Sequence, residues 1–362
     1  MLPPGGAPLG LGAIARALLD SRKGRRMADR FGQALSGRFG AGHVLLSSSG
    51  RAALALALTA LRQLRPDRDQ ILLPAYVSYS VPSAVARAGC HISLYDVDPV
   101  TLGPRLDSLE AAVSEKTLAV VACHQFGLAF DLEPIRSVCA GAGAFLVDDA
   151  AQAMGASVGG VPAGTMGDVG LFSLSRGKPI TAVEGGILLC NDDRIADGLR
   201  AVQKQLPEPG FSPRAALKAV ALAVLRHPAI YRIPASLPWL GIGASVFDPD
   251  FEQAGLSAFQ AGLGLSSLLE LDRINRQSHR KAEVYKRSLS GQNGIGLFGA
   301  SEDAEPTYLR CSVVSEYQAA AVKIPQTCQA RARAPGVSTV IPQSPDALPV
   351  PAGKQGTTGA GH

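Results

Sequence analysis

Residues 145–156, FLVDDAAQAMGA, begin with three apolar residues, as a buried strand does, and then place Asp148 and Asp149 side by side. Carboxylates at the end of a buried strand are costly unless a cation balances them. In an open α/β sheet, ligands bind at the carboxyl ends of the strands. The candidate cations are a metal, an arginine and a protonated heterocycle; the small residues that follow offer few further oxygen ligands for a metal.

Seven short apolar runs, one of which opens this stretch, lie between residues 41 and 190. Most are nearly continuous in apolar residues, which is typical of strands covered on both faces in a mostly parallel sheet. Helix-like segments lie between many of them, with glycine or proline at most joints. The predicted fold class is therefore α/β, with a mostly parallel seven-stranded sheet sandwiched by helices. The runs are residues 43–47, 71–74, 91–98, 118–124, 144–149, 169–175 and 186–190.

The chain is predicted to contain four segments. Residues 1–30 form an N-terminal arm and residues 31–205 the large α/β domain. Strands become sparse after residue 193, so residues 206–324 are expected to form a smaller C-terminal α+β domain with an apolar helical insertion. Residues 325–362 are rich in Pro, Gly, Ser, Thr and Gln and nearly free of acidic residues, a composition typical of a disordered tail.

Composition limits the class of protein. With 362 residues, 46% apolar and 18% charged, the chain can bury a large core. The net charge of +5 is mild and no dense Lys/Arg stripe is present, so no nucleic-acid partner is predicted. The six cysteines lack metal-ligand spacing, so no metal is expected, and a reducing cytoplasm is the expected location.

Targeting and membrane signals are weak. The apolar run 219–225 falls far short of the roughly 20 residues that span a bilayer. The first residues have no basic region ahead of their apolar part, so no signal peptide is expected. Segment 215–245 is interpreted as a packing surface, with weak contact to a membrane or a partner as the alternative.

Two further features carry chemistry. Lys178 follows a buried apolar run and an Arg-Gly pair; such a lysine can have a lowered pKa and form Schiff bases, although most are solvated loop residues. Residues 47–61, SSSGRAALALALTAL, place serines and a glycine before a strongly helical stretch. The N-terminus of that helix is suited to a phosphate, and is equally well an ordinary N-cap.

One ligand uses all three features. Pyridoxal 5'-phosphate has a pyridine nitrogen that must stay protonated, an aldehyde for a lysine and a phosphate for a helix N-terminus. The cation opposite the two aspartates is then the pyridinium. The sequence therefore predicts a pyridoxal-phosphate site.

The order and spacing of these motifs resemble the DegT/StrS family of nucleotide-sugar aminotransferases, which has the fold-type-I architecture of pyridoxal-phosphate transferases. The resemblance covers residues 28–200 well and residues 255–290 loosely. It is carried by the segments SSGRAALALAL, ILLPAY, CHQFG, VDDAAQAMGA, GDVGLFSLSRGK and EGGILLCND. These segments are far more specific together than any one of them alone.

The resemblance implies a role for each matching residue. Lys178 holds the cofactor as a Schiff base and later shuttles a proton between the substrate Cα and the cofactor C4′. Asp149 holds the pyridinium nitrogen, and Asp148 is structural. Gln152 reaches the phenolic oxygen of the cofactor.

The phosphate, by the same resemblance, is bound by Ser173 and by the backbone of Gly50, Arg51 and Ala52. Arg51 stands where the family has a threonine. Its guanidinium either pairs with the phosphate or points away and leaves only the backbone contact.

Other positions depart from the family pattern. The aromatic residue that covers the cofactor ring corresponds to Ser78, so Tyr76 or Tyr79 is expected to stack instead. The asparagine that reaches the phosphate of the partner subunit is missing near Gln253. Tyr79 and His124 are the residues expected to contact substrate. The alternative for His124 is a satisfied histidine at a strand end.

The function implied by the resemblance is that of a homodimeric aminotransferase. It moves an amino group from an amino acid, by resemblance L-glutamate, to a nucleotide-linked keto sugar for surface polysaccharide or secondary-metabolite synthesis. Elimination, dehydration or aldol cleavage with the same cofactor is one alternative, although the family's dehydratases lack the lysine that this chain keeps as Lys178. A cofactor-binding regulatory protein without catalysis is the other, favoured by the unusual tail.

Overall fold

A computed structural model describes residues 7–225, 230, 246–289, 295–301, 303–315 and 340–341. The helices are α1 (Leu11–Asp20), α2 (Arg25–Phe39), α3 (Gly50–Leu64), α4 (Ser80–Arg87), α5 (Leu106–Ala112), α6 (Glu133–Ala142), α7 (Asp193–Gln203), α8 (Pro213–Leu225), α9 (Ala258–Leu268) and α10 (Leu271–Leu289). The strands are β1 (His43–Ser47), β2 (Gln70–Pro74), β3 (His91–Tyr95), β4 (Thr117–Cys123), β5 (Phe145–Asp149), β6 (Ser157–Val158), β7 (Val161–Pro162), β8 (Val169–Ser173), β9 (Gly186–Cys190), β10 (Ile295–Leu297), β11 (Ala304–Glu305), β12 (Val313–Ser315) and β13 (Val340–Ile341).

The large sheet has seven strands in the spatial order β1-β9-β8-β5-β4-β2-β3. Strand β9 runs antiparallel to both of its neighbours, and the other pairs are parallel. Each of the seven apolar runs supplies one of these strands. The predicted mostly parallel seven-stranded sheet is therefore confirmed.

Apolar side chains cover both faces of the sheet. All residues of β4, β8 and β9 are buried. One apolar cluster joins the sheet to α3, α4 and α7, and a second joins its opposite face to α1, α2, α6 and α9. Burial on two sides is the physical reason for the continuous, non-alternating runs in the sequence.

Helix α3 brings its N-terminus to the carboxyl end of the sheet. Its residues between Ala52 and Leu61 are mostly buried, so the helix is apolar nearly all round and lies in the core. The N-cap is Ser49, whose side chain accepts the N–H of Ala52 at 3.1 Å. Gly186 of β9 permits the close approach, because a Cβ there would lie 2.3 Å from the carbonyl oxygen of Ser49.

The two N-terminal helices pack against a helix of the C-terminal half of the chain. Helices α1 and α2 pack against α9, and the ring of Phe31 lies so close to Gly264 that a Cβ there would come within 2.7 Å of it. Residue 30, the predicted end of the arm, lies inside α2, and the boundary of the arm stays a prediction. Helix α2 buries every fourth residue from Met27 to Phe39; this spacing predicts a buried face but not its partner.

Short strands complete the described part of the C-terminal region. Strand β11 pairs with β6, which pairs with β7, and a second small sheet has the order β10-β12-β13. Of the predicted tail 325–362 only β13 is described, and the rest of that prediction lies outside the described residues. The remaining domain boundaries stay predictions.

Helix α8 is the described part of the apolar segment 215–245, together with residue 230. It buries Ala215 and Ala219 and contacts α1, while contact of the segment with a membrane or partner stays a prediction. Across the described ranges, no helix combines the length and hydropathy needed to cross a bilayer. In the same ranges, no three His, Cys, Asp or Glu side chains are placed to share a metal ion.

Candidate active site

The strand ends of the sheet and the N-terminus of α3 surround a cavity of about 1040 Å³. Ala52 and His124, two of the predicted site residues, lie outside its lining. The other predicted site residues come together there although they are far apart in the sequence. They are Gly50, Arg51, Tyr76, Tyr79, Asp149, Gln152, Ser173 and Lys178.

Of the two adjacent aspartates, Asp149 is the one that lines the cavity. Its Oδ1 accepts the N–H of Ala151 at 3.0 Å, and its Oδ2 accepts the thiol of Cys123 at 3.5 Å. Burial raises the pKa of Asp149, and the Ala151 N–H, the Lys178 charge and the Cys123 thiol act to lower it. A buried carboxylate with so few donors is stabilised by a cation in the cavity.

Asp148 points to the opposite side and is fully enclosed. Its Oδ2 accepts the N–H groups of Gly164 at 2.7 Å and Met166 at 3.0 Å. Its Oδ1 lies 3.0 Å from Nε2 of His124, which is within ion-pair distance but outside hydrogen-bond geometry. These contacts hold the loop between β7 and β8, in keeping with a structural role for Asp148.

His124 directly follows β4 and is buried, with only 1% of its surface exposed. Its Nδ1 accepts the N–H of Phe130 at 3.4 Å, and the two rings are 4.5 Å apart. Nε2 of His124 has no hydrogen-bond partner among the described residues. Contact of His124 with substrate and the alternative of a satisfied histidine both stay predictions. Alternation along the strand places His124 outside the cavity lining, since the preceding Cys123 reaches Asp149 on the cavity side.

Lys178 lies in the loop after β8, partly buried in the cavity wall. Burial lowers the pKa of Lys178 from 10.5 to about 8, while Asp149 acts to raise it and Arg310 to lower it further. An amine with a pKa lowered in this way has a much larger neutral fraction near neutral pH than a solvated lysine has. It can therefore attack a carbonyl to form a Schiff base.

The N-terminus of α3 and the end of β8 form an anion cradle. The N–H groups of Gly50 and Arg51 belong to the first helical turn, which offers them no acceptor within the helix. A Cβ on Gly50 would lie 2.9 Å from Cβ of Ser173, so glycine allows this close approach. The N–H of Ala52 donates to the N-cap Ser49 in this structure, and its expected contact with the phosphate stays a prediction.

Arg51 is turned away from the cradle. Its Nη1 lies 3.1 Å from Oδ2 of Asp248, and its guanidinium lies 4.6 Å from the centre of the Phe251 ring. Of the two orientations that the sequence left open for Arg51, the structure has the one that leaves only backbone contact with an anion. The side chain instead ties α3 to the segment that precedes α9.

Tyr76 and Gln152 line the cavity and are joined through Gln125. Gln152 Nε2 donates to Oε1 of Gln125 at 2.7 Å, and Gln125 Nε2 donates to the carbonyl oxygen of Tyr76 at 3.4 Å. The Tyr76 ring lies 6.3 Å from the ring of Phe126. Tyr79 is 59% exposed at the rim, so Tyr76 is the aromatic candidate held by neighbouring side chains.

Sequence reasoning did not identify several residues of the lining. Gln125 follows a predicted strand, and its place at the strand end was the available signal. Glu184 and Lys218, both in the lining, form an ion pair at 2.6 Å. Arg310 comes from a short segment before β12 that carries no motif, so no sequence signal pointed to it.

Comparison with known proteins identifies one protein family that matches most of the chain. The model of the DegT/DnrJ/EryC1/StrS aminotransferase family matches residues 15–341, a range that contains every residue of the cavity lining. The solved structure of the sugar aminotransferase CalS13 from Micromonospora echinospora superposes with a TM-score of 0.71 and 26% identity. That match covers 90% of this chain and 84% of CalS13.

Curated relatives match over shorter stretches. GDP-perosamine synthase of Vibrio cholerae is 31% identical over 163 residues, which is 45% of this chain and 44% of that protein. L-glutamine:2-deoxy-scyllo-inosose aminotransferase of Streptoalloteichus tenebrarius is 29% identical over 266 residues, which is 73% of this chain and 56% of that protein. The chain thus spans about half the length of the curated relatives it matches.

Proposed function

The chain belongs to the DegT/DnrJ/EryC1/StrS aminotransferase family, and we propose that it is a pyridoxal-phosphate-dependent aminotransferase. The amino donor is an amino acid, by family resemblance L-glutamate. The acceptor is a nucleotide-linked keto sugar, used for surface polysaccharide or secondary-metabolite synthesis. The names of GDP-perosamine synthase and of the sugar aminotransferase CalS13 support a sugar acceptor.

The observation that carries the proposal is the meeting of three groups in one cavity: the Asp149 carboxylate, the Lys178 amine and the N-terminus of α3. These are the groups that pyridoxal phosphate requires for its ring nitrogen, its aldehyde and its phosphate. Two features of the chain fit the cofactor in particular. The missing Cβ at Gly50 keeps the anion cradle open beside Ser173, and few donors offset the burial of Asp149.

When bound, the cofactor supplies an electron sink for the bond broken at the amino-bearing carbon. Lys178 would take the proton from that carbon of the donor and return a proton in the acceptor half-reaction. Asp149 would hold the proton on the ring nitrogen, since its buried carboxylate is stabilised by that charge. Gln152, oriented by Gln125, would donate to the ring oxygen.

The visible absorbance of the purified protein with pyridoxal phosphate, before and after addition of L-glutamate, tests the proposal. We expect a band that L-glutamate converts to the pyridoxamine form, with release of 2-oxoglutarate. Lys178→Ala should abolish turnover, whereas Lys204→Ala, at an exposed lysine outside the cavity, should leave it unchanged. A band that no amino acid alters, or wild-type turnover by Lys178→Ala, would contradict the assignment.

We also propose a homodimer in a reducing cytoplasm. The family resemblance supports the dimer, which sedimentation equilibrium tests directly. Within the described ranges the chain has free thiols, in keeping with a reducing compartment. They are those of Cys90, Cys123, Cys139 and Cys190.

A further inference from the structure

Helix α1 carries leucines on its solvent side. Its buried residues are Ile14 and Ala17, whereas Leu11 and Leu19 are 63% and 65% exposed and Leu18 is exposed as well. A helix at the surface of a globular protein normally has charged or polar residues opposite its buried face. Helix α1 is instead apolar toward solvent as well as toward the core.

Helix α8, which contacts α1, has the same property. It buries Ala215 and Ala219, while Leu217 is 71% exposed and Val220 and Val224 are exposed. Positions i, i+3 and i+7 share one side of a helix, so these three side chains form one apolar stripe in solvent. Ala215 lines the cavity, and the stripe lies on the other side of the helix. The apolar face of the molecule comprises Leu11, Leu18, Leu19, Leu217, Val220 and Val224.

The positive charge of the chain is concentrated beside this apolar face. Residues 11–30 contain six Lys and Arg and two Asp, which gives them a net charge of +4, out of +5 for the whole chain. Lys23 is paired with Asp20 at 2.5 Å. Four further cations are exposed, and no carboxylate in the described part of the chain pairs with them. They are Arg16 on α1, Arg22 in the turn Ser21–Lys23 that follows it, and Arg25 and Arg26 at the start of α2.

A surface with both exposed leucines and unpaired arginines fits an anionic lipid bilayer. Helices that lie in a membrane interface bury apolar side chains at the boundary of the acyl chains and have Lys and Arg beside them. Anionic headgroups attract such basic segments. A nucleic acid would use the arginines but leave the leucines in water. A second copy of the chain, related by two-fold symmetry, would place the same basic patch against itself, and like charges in contact are unfavourable.

We propose that the apolar face and its arginines bind the surface of a bilayer that contains anionic lipids. The leucines and valines would enter the boundary of the acyl chains, and the arginines would contact the lipid phosphates. Helix α8 has the cavity on one side and the apolar stripe on the other, so the bound protein would keep its cavity open to substrates. This binding is independent of the proposed aminotransferase chemistry.

Co-sedimentation of the full-length protein, with pyridoxal phosphate added, with lipid vesicles tests the proposal. We expect binding to vesicles of phosphatidylcholine mixed with phosphatidylglycerol, weaker binding as salt rises, and little binding to phosphatidylcholine alone. Leu19→Gln combined with Leu217→Gln removes the most exposed leucine of each helix and should weaken binding at least about tenfold. Arg22→Gln combined with Arg25→Gln should weaken binding about 25-fold, because each basic residue near an anionic surface contributes about fivefold.

Matched controls make the same changes elsewhere on the surface. Leu94→Gln alters an exposed leucine of β3, which is at the opposite edge of the sheet from β1, the strand that contacts α2. Arg280→Gln combined with Lys281→Gln removes two exposed cations of α10. Both controls should bind the anionic vesicles as wild type does. All the variants should keep the wild-type midpoint of thermal unfolding and the wild-type turnover in solution, because the altered side chains are exposed and outside the cavity lining.

Two results would overturn the proposal. One is a wild-type protein that does not bind the anionic vesicles, or whose binding the leucine variant leaves unchanged. The other is a leucine variant that is monomeric in sedimentation equilibrium without lipid while the wild type is a dimer, because the apolar face would then cover a second copy of the chain. Neither result would affect the proposed aminotransferase, which the absorbance change with L-glutamate tests separately.

Discussion

At the carboxyl end of β5, two neighbouring carboxylates lie on opposite faces of the sheet and have different surroundings. On the enclosed side, Asp148 accepts two backbone N–H groups and lies 3.0 Å from His124. On the cavity side, Asp149 accepts one backbone N–H and one thiol. Successive side chains of a strand face opposite ways, so adjacent aspartates have one role in packing and one in chemistry.

The donors around each carboxylate decide which is free to serve a ligand. Oδ2 of Asp148 accepts two N–H groups of the loop between β7 and β8, and these hydrogen bonds hold the carboxylate in place. Asp149 is buried, burial raises its pKa, and it lines the same cavity as Lys178. A buried carboxylate with few hydrogen-bond donors is costly by itself, and a cationic ligand offsets that cost on binding.

The largest expected effect is that of Asp149→Asn, which keeps the volume of the side chain but removes its charge. Removing one partner of a buried ion pair costs about 3–5 kcal/mol, so the first half-reaction should slow about 1000-fold. Stopped-flow absorbance with L-glutamate measures this rate. A rate within tenfold of wild type would remove Asp149 from the cofactor site.

The pH dependence of Lys178 sharpens the same contrast. Because burial lowers the pKa of Lys178 to about 8, its amine should be neutral above about pH 8 in the folded protein. Reductive methylation of the cofactor-free protein, followed by mass spectrometry, should show a midpoint near that pH; the urea-denatured protein should show one near pH 10. Since Asp149 acts to raise this pKa, Asp149→Asn should lower the midpoint further, and a folded-state midpoint above pH 10 would contradict the burial argument.

Asp148→Asn should act on stability. The amide keeps one acceptor oxygen but places an N–H₂ group among buried donors, so the free energy of unfolding should fall by about 3 kcal/mol. Urea unfolding measures this difference. The matched control is Asp193→Asn, whose side chain is 90% exposed, with an expected change within about 0.5 kcal/mol. A loss of donor turnover without a loss of stability would reverse the roles assigned to the two aspartates.

The smallest expected effect is that of Cys123→Ala. It removes the thiol that donates to Asp149, a hydrogen bond worth about 1 kcal/mol, so the first half-reaction should slow about fivefold. Cys139→Ala is the control, because Cys139 belongs to α6 and its thiol is buried in the apolar core. Equal rates in the two variants would show that the thiol only fills space.

Much of the fold was predictable because strands buried on both faces need continuous apolar runs, and such runs are local in the sequence. The aspartates at the end of β5 and the small residues before α3 are local signals of the same kind. The roles of Lys178, Gln152 and Ser173 came from the resemblance of ordered motifs. The cavity brings all three together.

The features that the sequence did not predict share one physical cause. The partner of α2, the burial of His124 and the capped N–H of Ala52 depend on what packs against each residue. The sequence therefore determined where the strands run, where they end and which residue types stand there. Only the tertiary structure decided that Arg51 pairs with Asp248, 197 positions away, and that Arg310 enters the cavity, because contacts between distant segments leave no local pattern.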